Sequence, residues 1–178
     1  MPTGRTHDAI TFFLTPPVFY ATWRLTHSWQ DAGLASCAFA FAGLMFSGDL
    51  DLPSTQYRRW GLLRWLWKPY QWLVPHRSVL SHGVTLGPLV RLAYLTAVVA
   101  ALTWGVLWWL STKGIGPGPE EAFAQGWYSA SHLKLGAREW ELFASVMAGL
   151  WVGGASHTLA DWGATAWKRR WRRRRRRR

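Results

Sequence analysis

The sequence predicts an all-α fold: a small polytopic membrane helix bundle of about four spans, with an interfacial amphipathic helix. Long apolar stretches carry almost no charge, although the mean hydropathy of the whole chain is only -0.05. Many of the 15 Trp residues stand beside Arg or Lys at the ends of these stretches, where amphipathic rings are stable at a membrane–water interface. Lys and Arg are also unevenly distributed among the connecting segments, which is typical of membrane proteins.

Four apolar segments approach the roughly 17–25 helical residues that cross a bilayer core of about 30 Å. In chain order they run from Ala9 to about Ser28, from Ala32 to Ser47, from Leu86 to Leu110, and from about Trp140 to Trp167. Pro16-Pro17 predicts a kink in the first segment. Arg91 lies near the start of the third, and His157 and Asp161 interrupt the fourth.

Basic residues are interleaved with Trp and Leu between the second and third segments, in residues 56–70. We expect a helix that lies in the plane of the membrane interface, with Arg64 and Lys68 on one face. The alternative is a basic amphipathic helix that covers the core of a soluble protein. Farther along, a Gly- and Pro-rich loop at residues 111–118 precedes a short polar helix from about Glu120 to Leu135.

The Lys/Arg asymmetry predicts an integral membrane protein with both termini cytoplasmic. Ten of the 21 basic residues lie in Lys168–Arg178, so the pI of about 11.1 describes the tail and not the fold. We expect residues 1–167 to form the helical domain and residues 168–178 a disordered, Arg-rich cytoplasmic tail. Anionic lipid headgroups are its expected partner; no specific nucleic acid is expected, because base recognition needs more than phosphate attraction.

Seven side chains that could bind a metal fall on the predicted cytoplasmic side, although they are dispersed along the chain. They are His7, Asp49, Asp51, His76, His82, His157 and Asp161. His27 and His132 fall on the other side and are expected to be surface residues. The hydropathy pattern alone does not require all seven side chains to fall on one side of the membrane. Their common location therefore indicates a metal site.

The spacing of these residues adds detail. His157 and Asp161 are four apart and share a helical face. The carboxylates of Asp49-Leu50-Asp51 point the same way in extended backbone, where they repel each other unless a cation lies between them. His76 and His82 are six apart, so one straight helix cannot present both to one ion, and we expect a turn near Gly83.

Each signal has a structural alternative. Asp49 could end a helix, Asp51 or Asp8 could cap one, His76 could be an interfacial histidine, and His157 with Asp161 could be a buried hydrogen-bonded pair. Together, four imidazoles and three carboxylates are too many for one tetrahedral zinc. They suit one or two divalent ions, with zinc, manganese or iron all compatible.

These motifs resemble the family of membrane-bound metal-dependent hydrolases, in particular a branch described only as metal-binding proteins. The family pattern matches Thr6-His7, Asp49-Leu50-Asp51, the segment from His76-Arg77 to Ser81-His82, and His157-x-x-x-Asp161, in order along nearly the whole chain. Hydrolase members place their two histidines one residue closer together, so the resemblance is to the metal-binding branch. It implies a membrane location and a divalent metal.

The leading functional hypothesis is a metal-dependent hydrolase that acts on a phosphoester or lipid-like substrate at the cytoplasmic membrane face. Water activated by the metal would be the nucleophile, and Asp8 or a carboxylate released from the metal would be the base. Arg77 would bind a phosphate or carboxylate. The alternative is a non-catalytic metal-binding membrane protein for sensing, storage or complex assembly. Saturation of the metal by seven protein ligands would favour that alternative, because catalytic metals keep an open position.

Overall fold

The regular elements of the computed structural model are all helical, which confirms the predicted all-α class. The structure describes residues 4–76 and 78–175, with the side chains of residues 172–174 excepted. The long helices are α1 (Gly4–Thr26), α2 (Trp29–Met45), α6 (Leu86–Ser111), α7 (Pro119–His132) and α8 (Ala137–Arg175). Between α2 and α6 lie three short α-helices, α3 (Thr55–Arg59), α4 (Lys68–Leu73) and α5 (Val79–His82), and two 3-10 helices, η1 (Gly48–Asp51) and η2 (Gly61–Trp67).

The chain divides into two compact units. The first comprises the described residues of Met1–Arg91 and Glu141–Arg178, and the second is Leu92–Trp140. In the second unit the Trp104 ring packs on Phe123 with 5.5 Å between ring centroids. All seven predicted metal ligands belong to the first unit.

A tight connection folds α1 back along α2. His27 adopts a left-handed backbone conformation with φ of 51°, and the Ser28 hydroxyl accepts a hydrogen bond from the Asp31 amide to cap α2. Near the other end of the pair, Gly43 lies so close to Thr11 that a Cβ atom would collide with it. The start of α1 therefore lies beside the end of α2.

Two glycines let α8 approach α2 closely. A Cβ atom at Gly149 would collide with the Ala35 carbonyl, and one at Gly153 would lie 2.5 Å from the Phe39 carbonyl oxygen. Small residues spaced by four along a helix allow two backbones to pack at such short range. His157 lies one turn beyond Gly153, so this contact sets the position of the ligands on α8.

Among the described residues, three helical segments are long and apolar enough to cross a membrane: Trp29–Asp51, Leu86–Ser111 and Ala137–Trp171. They correspond to the second, third and fourth predicted spans. The first predicted span lies in α1, which is a continuous helix of 23 residues with Pro16 and Pro17 inside it. It is not among the three apolar segments, since charged and polar side chains lie near both of its ends.

The single interfacial helix predicted over residues 56–70 is replaced by α3, η2 and the start of α4. Gly61 has a φ of 56°, a left-handed conformation that interrupts a helix, and Pro69 lies in the first turn of α4. Arg64 and Lys68 consequently lie in different helices. The shared helical face that the sequence predicted for them is absent.

Helix α8 continues through Arg175 in the structure, and disorder of residues 168–178 stays a prediction. Arg favours helix formation, and the Arg175 guanidinium lies over the Trp171 ring, 4.0 Å from its centroid, at the four-residue spacing of helical neighbours. Residues 176–178 lie outside the described part of the chain.

Candidate metal centre

The structure brings all seven predicted ligands together from four parts of the first unit. His7 lies on α1, the two aspartates of the Asp-Leu-Asp motif lie in η1, one histidine precedes α5 and another ends it, and the remaining two residues lie on α8. Their side chains form a continuous sequence of contacts that alternates between imidazole and carboxylate. We call it the His/Asp row; in order it is His7, Asp161, His157, Asp49, His82, Asp51 and His76.

Adjacent nitrogen and oxygen atoms along the row are separated by 3.0–3.8 Å. From one end to the other, the six separations are 3.3, 3.8, 3.5, 3.6, 3.7 and 3.0 Å. Five of these exceed the ordinary length of a nitrogen–oxygen hydrogen bond, about 2.7–3.2 Å. Two ligands of one tetrahedral ion with bonds of about 2.1 Å are about 3.4 Å apart. The spacing therefore suits donors that share a cation better than donors that bond to each other.

Three groups within the row have donor atoms that all lie within 4.8 Å of one another. They are the His7 group (His7, His157 and Asp161), the His76 group (Asp51, His76 and His82) and the central group (Asp49, His82 and Asp161). The two outer groups have no residue in common, whereas the central group takes one residue from each. Each outer group by itself therefore offers three donor atoms that could bind one ion.

Buried atoms of the row lack hydrogen-bond partners. Among the described residues these include His82 Nε2, both ring nitrogens of His157 and both carboxylate oxygens of Asp161. Burying such groups without compensation costs free energy, most of all for a carboxylate. A divalent cation would compensate them, because neutral imidazole nitrogens and carboxylate oxygens are its ordinary ligands.

The Asp-Leu-Asp motif is a 3-10 helix rather than the extended segment that we predicted. A 3-10 helix has about three residues per turn, so residues two apart point in different directions. Asp49 consequently reaches His157 and His82, while Asp51 reaches His82 and His76. The buried Leu50 between them anchors the turn, and the two carboxylates come to lie on either side of His82.

The two histidines of the His-x5-His segment reach the same carboxylate because the chain bends between them. His76 lies in a turn after α4, and Ser78 begins α5 by capping the Ser81 amide. The chain does leave α5 at Gly83. The bend that separates the two histidines, however, lies before α5 and not near Gly83, as we had expected.

Of the two catalytic candidates, the structure describes Asp8, which pairs with Arg59 and not with a residue of the row. Both carboxylate oxygens of Asp8 accept hydrogen bonds from Arg59, at 2.8 and 2.5 Å, and Arg59 Nη1 also donates to the Leu44 carbonyl. This hydrogen bond from Arg59 to Asp8 raises the pKa of the Arg59 guanidinium. The role of Asp8 as a base stays a prediction, and Arg77 lies outside the described residues.

Sequence reasoning missed Arg91, whose guanidinium is buried and donates to the Ser81 carbonyl at 2.8 Å. A single cation inside an apolar segment was the available signal, because such residues are expensive there and mark function. His27 and His132, which were expected outside the site, are both exposed and belong to none of the three groups.

The chain was compared with protein families, curated proteins and solved structures. A family model described as "uncharacterized metal-binding protein (DUF2227)" matches residues 2–171. The searches of curated proteins and of solved structures gave no match. The match spans every residue of the His/Asp row.

Proposed function

The chain belongs to this metal-binding family, and we propose that it is an integral membrane protein that holds two divalent ions in the His/Asp row. We further propose that it hydrolyses a phosphoester or lipid-like substrate at the cytoplasmic membrane face. The observation that carries the proposal is the arrangement of donors in two separate outer groups of three. Catalytic zinc sites use three protein ligands and leave one position open.

Three ligands on each of two ions leave a tetrahedral ion one open position, whereas all seven ligands on a single ion would saturate it. Asp49, between His157 and His82, is placed to interact with both outer groups. Divalent ions held there would supply Lewis acidity to a phosphoryl or acyl oxygen and activate water for hydrolysis. The residues of the row would fix where that chemistry occurs, and the hydrophobic elements around them would limit access of bulk water.

A membrane location is supported by the three apolar helical segments and by the pairing of α1 with α2. A 23-residue helix is about 35 Å long, enough for a bilayer core of about 30 Å. His7, near the start of α1, lies 3.3 Å from Asp161 on α8. We therefore propose that α1 also spans, which gives four spans, both termini in the cytoplasm, and the basic end of α8 near anionic headgroups.

Cysteine accessibility tests this topology. Cys37 is replaced by Ser, and single cysteines are introduced before residue 4, at Gly116 and after Arg178. A membrane-impermeant reagent should label both terminal cysteines from the cytoplasmic side and Gly116→Cys from the opposite side. Labelling of the two termini from opposite sides would contradict the four-span topology.

Metal-dependent hydrolysis tests the enzymatic part. The full chain in detergent, loaded in turn with zinc, manganese or ferrous iron, is assayed with a nitrophenyl phosphodiester and a short-chain phospholipid. Turnover should vanish with a chelator, and His157→Ala should reduce it at least about 100-fold, since even residues that only support metal ligands affect activity by 10–100-fold. His132→Ala, an exposed histidine outside the row, should keep wild-type turnover.

The alternative function is non-catalytic metal binding, for sensing, storage or complex assembly. The ion pair of Asp8 with Arg59 favours it, because the candidate base already has a partner outside the row. Metal that stays bound while no substrate is hydrolysed would contradict the hydrolase and support this alternative.

A further inference from the structure

We propose that Arg91 is a positioning residue of the metal centre, which holds His82 in place and supplies a fixed positive charge beside the carboxylates. The inference deepens the proposed function and depends on it. Arg91 is 1% exposed, although Arg is rarely buried to this extent without a role. It lies in the first turns of α6, within the compact unit that contains the His/Asp row.

Arg91 reaches His82 through one intervening residue. Its Nη1 donates to the carbonyl of Ser81 at 2.8 Å, and the Ser81 hydroxyl lies 2.9 Å from His82 Nδ1. Ser81 itself is completely buried. The guanidinium therefore fixes the backbone immediately before His82, while the serine hydroxyl contacts the imidazole ring.

Two glycines make room for this arrangement. A Cβ atom at Gly87 would lie 2.9 Å from the Ser81 carbonyl oxygen and 3.3 Å from Arg91 Nη1, and one at Gly154 would lie 3.2 Å from Arg91 Nη2. The space around the guanidinium is thus bounded by α6 on one side and α8 on the other. A larger side chain at either glycine would press on Arg91 or on Ser81.

Groups next to Arg91 explain why its positive charge is tolerated in a buried position. Its electrostatic partners are first Tyr70 and then Asp51 and Asp49, and its guanidinium also lies 5.8 Å from the centroid of the Phe46 ring. A buried cation without such partners would be strongly unfavourable. The Arg91 guanidinium would partly neutralise the negative charge of the aspartates of η1 while metal ions enter or leave the row.

Titration of the full-length protein with Zn²⁺ in detergent tests the inference. Arg91→Met, which has similar bulk and no charge, should weaken Zn²⁺ binding by about 10–100-fold, the usual effect of losing a residue that supports a metal ligand. Arg91→Lys keeps a side-chain donor for the Ser81 carbonyl and should recover part of that affinity, which a role in packing alone would not require. Arg24→Met, at an exposed arginine near the other end of α1, should bind Zn²⁺ like the wild type.

Gly87→Ala gives a second test that keeps every charge, because its Cβ would displace the Ser81 carbonyl. Gly87→Ala should weaken Zn²⁺ binding, as Arg91→Met should. If circular dichroism shows that Arg91→Met does not fold, Gly87→Ala alone tests the inference. Wild-type affinity in a folded Arg91→Met, no recovery in Arg91→Lys, or wild-type affinity in Gly87→Ala would each overturn the inference. Failure of the wild-type chain to bind any divalent ion would instead overturn the proposed function.

Discussion

His82, a residue of the His76 group, lies between the two aspartates of η1. Its Nε2 faces Asp49 at 3.6 Å and its Nδ1 faces Asp51 at 3.7 Å. An imidazole can offer each of its nitrogens to a different acceptor or ion, but its tautomer is set by what the other nitrogen bonds. The Ser81 hydroxyl beside Nδ1 therefore bears directly on which nitrogen is available as a ligand.

At the opposite end of the row, the rings of His7 and His157 stack with 3.9 Å between centroids and 27° between planes. Stacking fixes both rings without using their nitrogens as donors or acceptors. His7 Nε2 remains directed at Asp161, 3.3 Å away. The His7 group is thus held in place by ring packing, and the His76 group by hydrogen bonds of the backbone around α5.

Among the elements, α8 depends most on close packing, because its glycines lie directly against α2. The same helix carries two candidate ligands, so a change in this packing would move them. Gly153→Ala should destabilise the protein by about 1–3 kcal/mol, the usual cost of overpacking a tight interface, and should reduce metal affinity by shifting His157. Gly163 is the matched control on the same helix, since a Cβ atom there meets nothing within 4 Å. Gly163→Ala should be neutral or stabilising by up to about 1 kcal/mol, because Ala favours helix more than Gly.

Thermal unfolding followed by circular dichroism in detergent, together with metal content, measures both variants. Equal melting temperatures for Gly153→Ala and Gly163→Ala would show that the approach of α8 to α2 is looser than the structure describes.

The short elements mark where local sequence patterns were insufficient for prediction. Long apolar runs indicated most of the long helices, because a membrane environment or burial demands such runs. They did not indicate that η1 is a 3-10 helix, since the alternation of Asp49 and Asp51 around Leu50 fits an extended strand equally well. The left-handed conformation of Gly61 also has no signature beyond the glycine itself, and it divides the predicted interfacial helix.

For the whole molecule, the residues of the candidate metal site were easier to predict than their arrangement in space. The seven candidate ligands could be selected from the sequence because His and Asp are costly at the ends of apolar helices unless they are compensated. Their order in the row, the division into two outer groups and the support from Arg91 depend on tertiary contacts between residues distant in the chain. No local pattern encodes those contacts.

The metal content of the purified full chain, counted per molecule by elemental analysis after removal of loosely bound ions, tests the central claim most directly. The account predicts about two divalent ions in the wild type and in His132→Ala. A variant with both His82→Ala and His157→Ala, which removes a ligand from each outer group, should retain few or none. A wild-type chain without bound metal, or full metal content in the double variant, would contradict the His/Asp row as the metal centre.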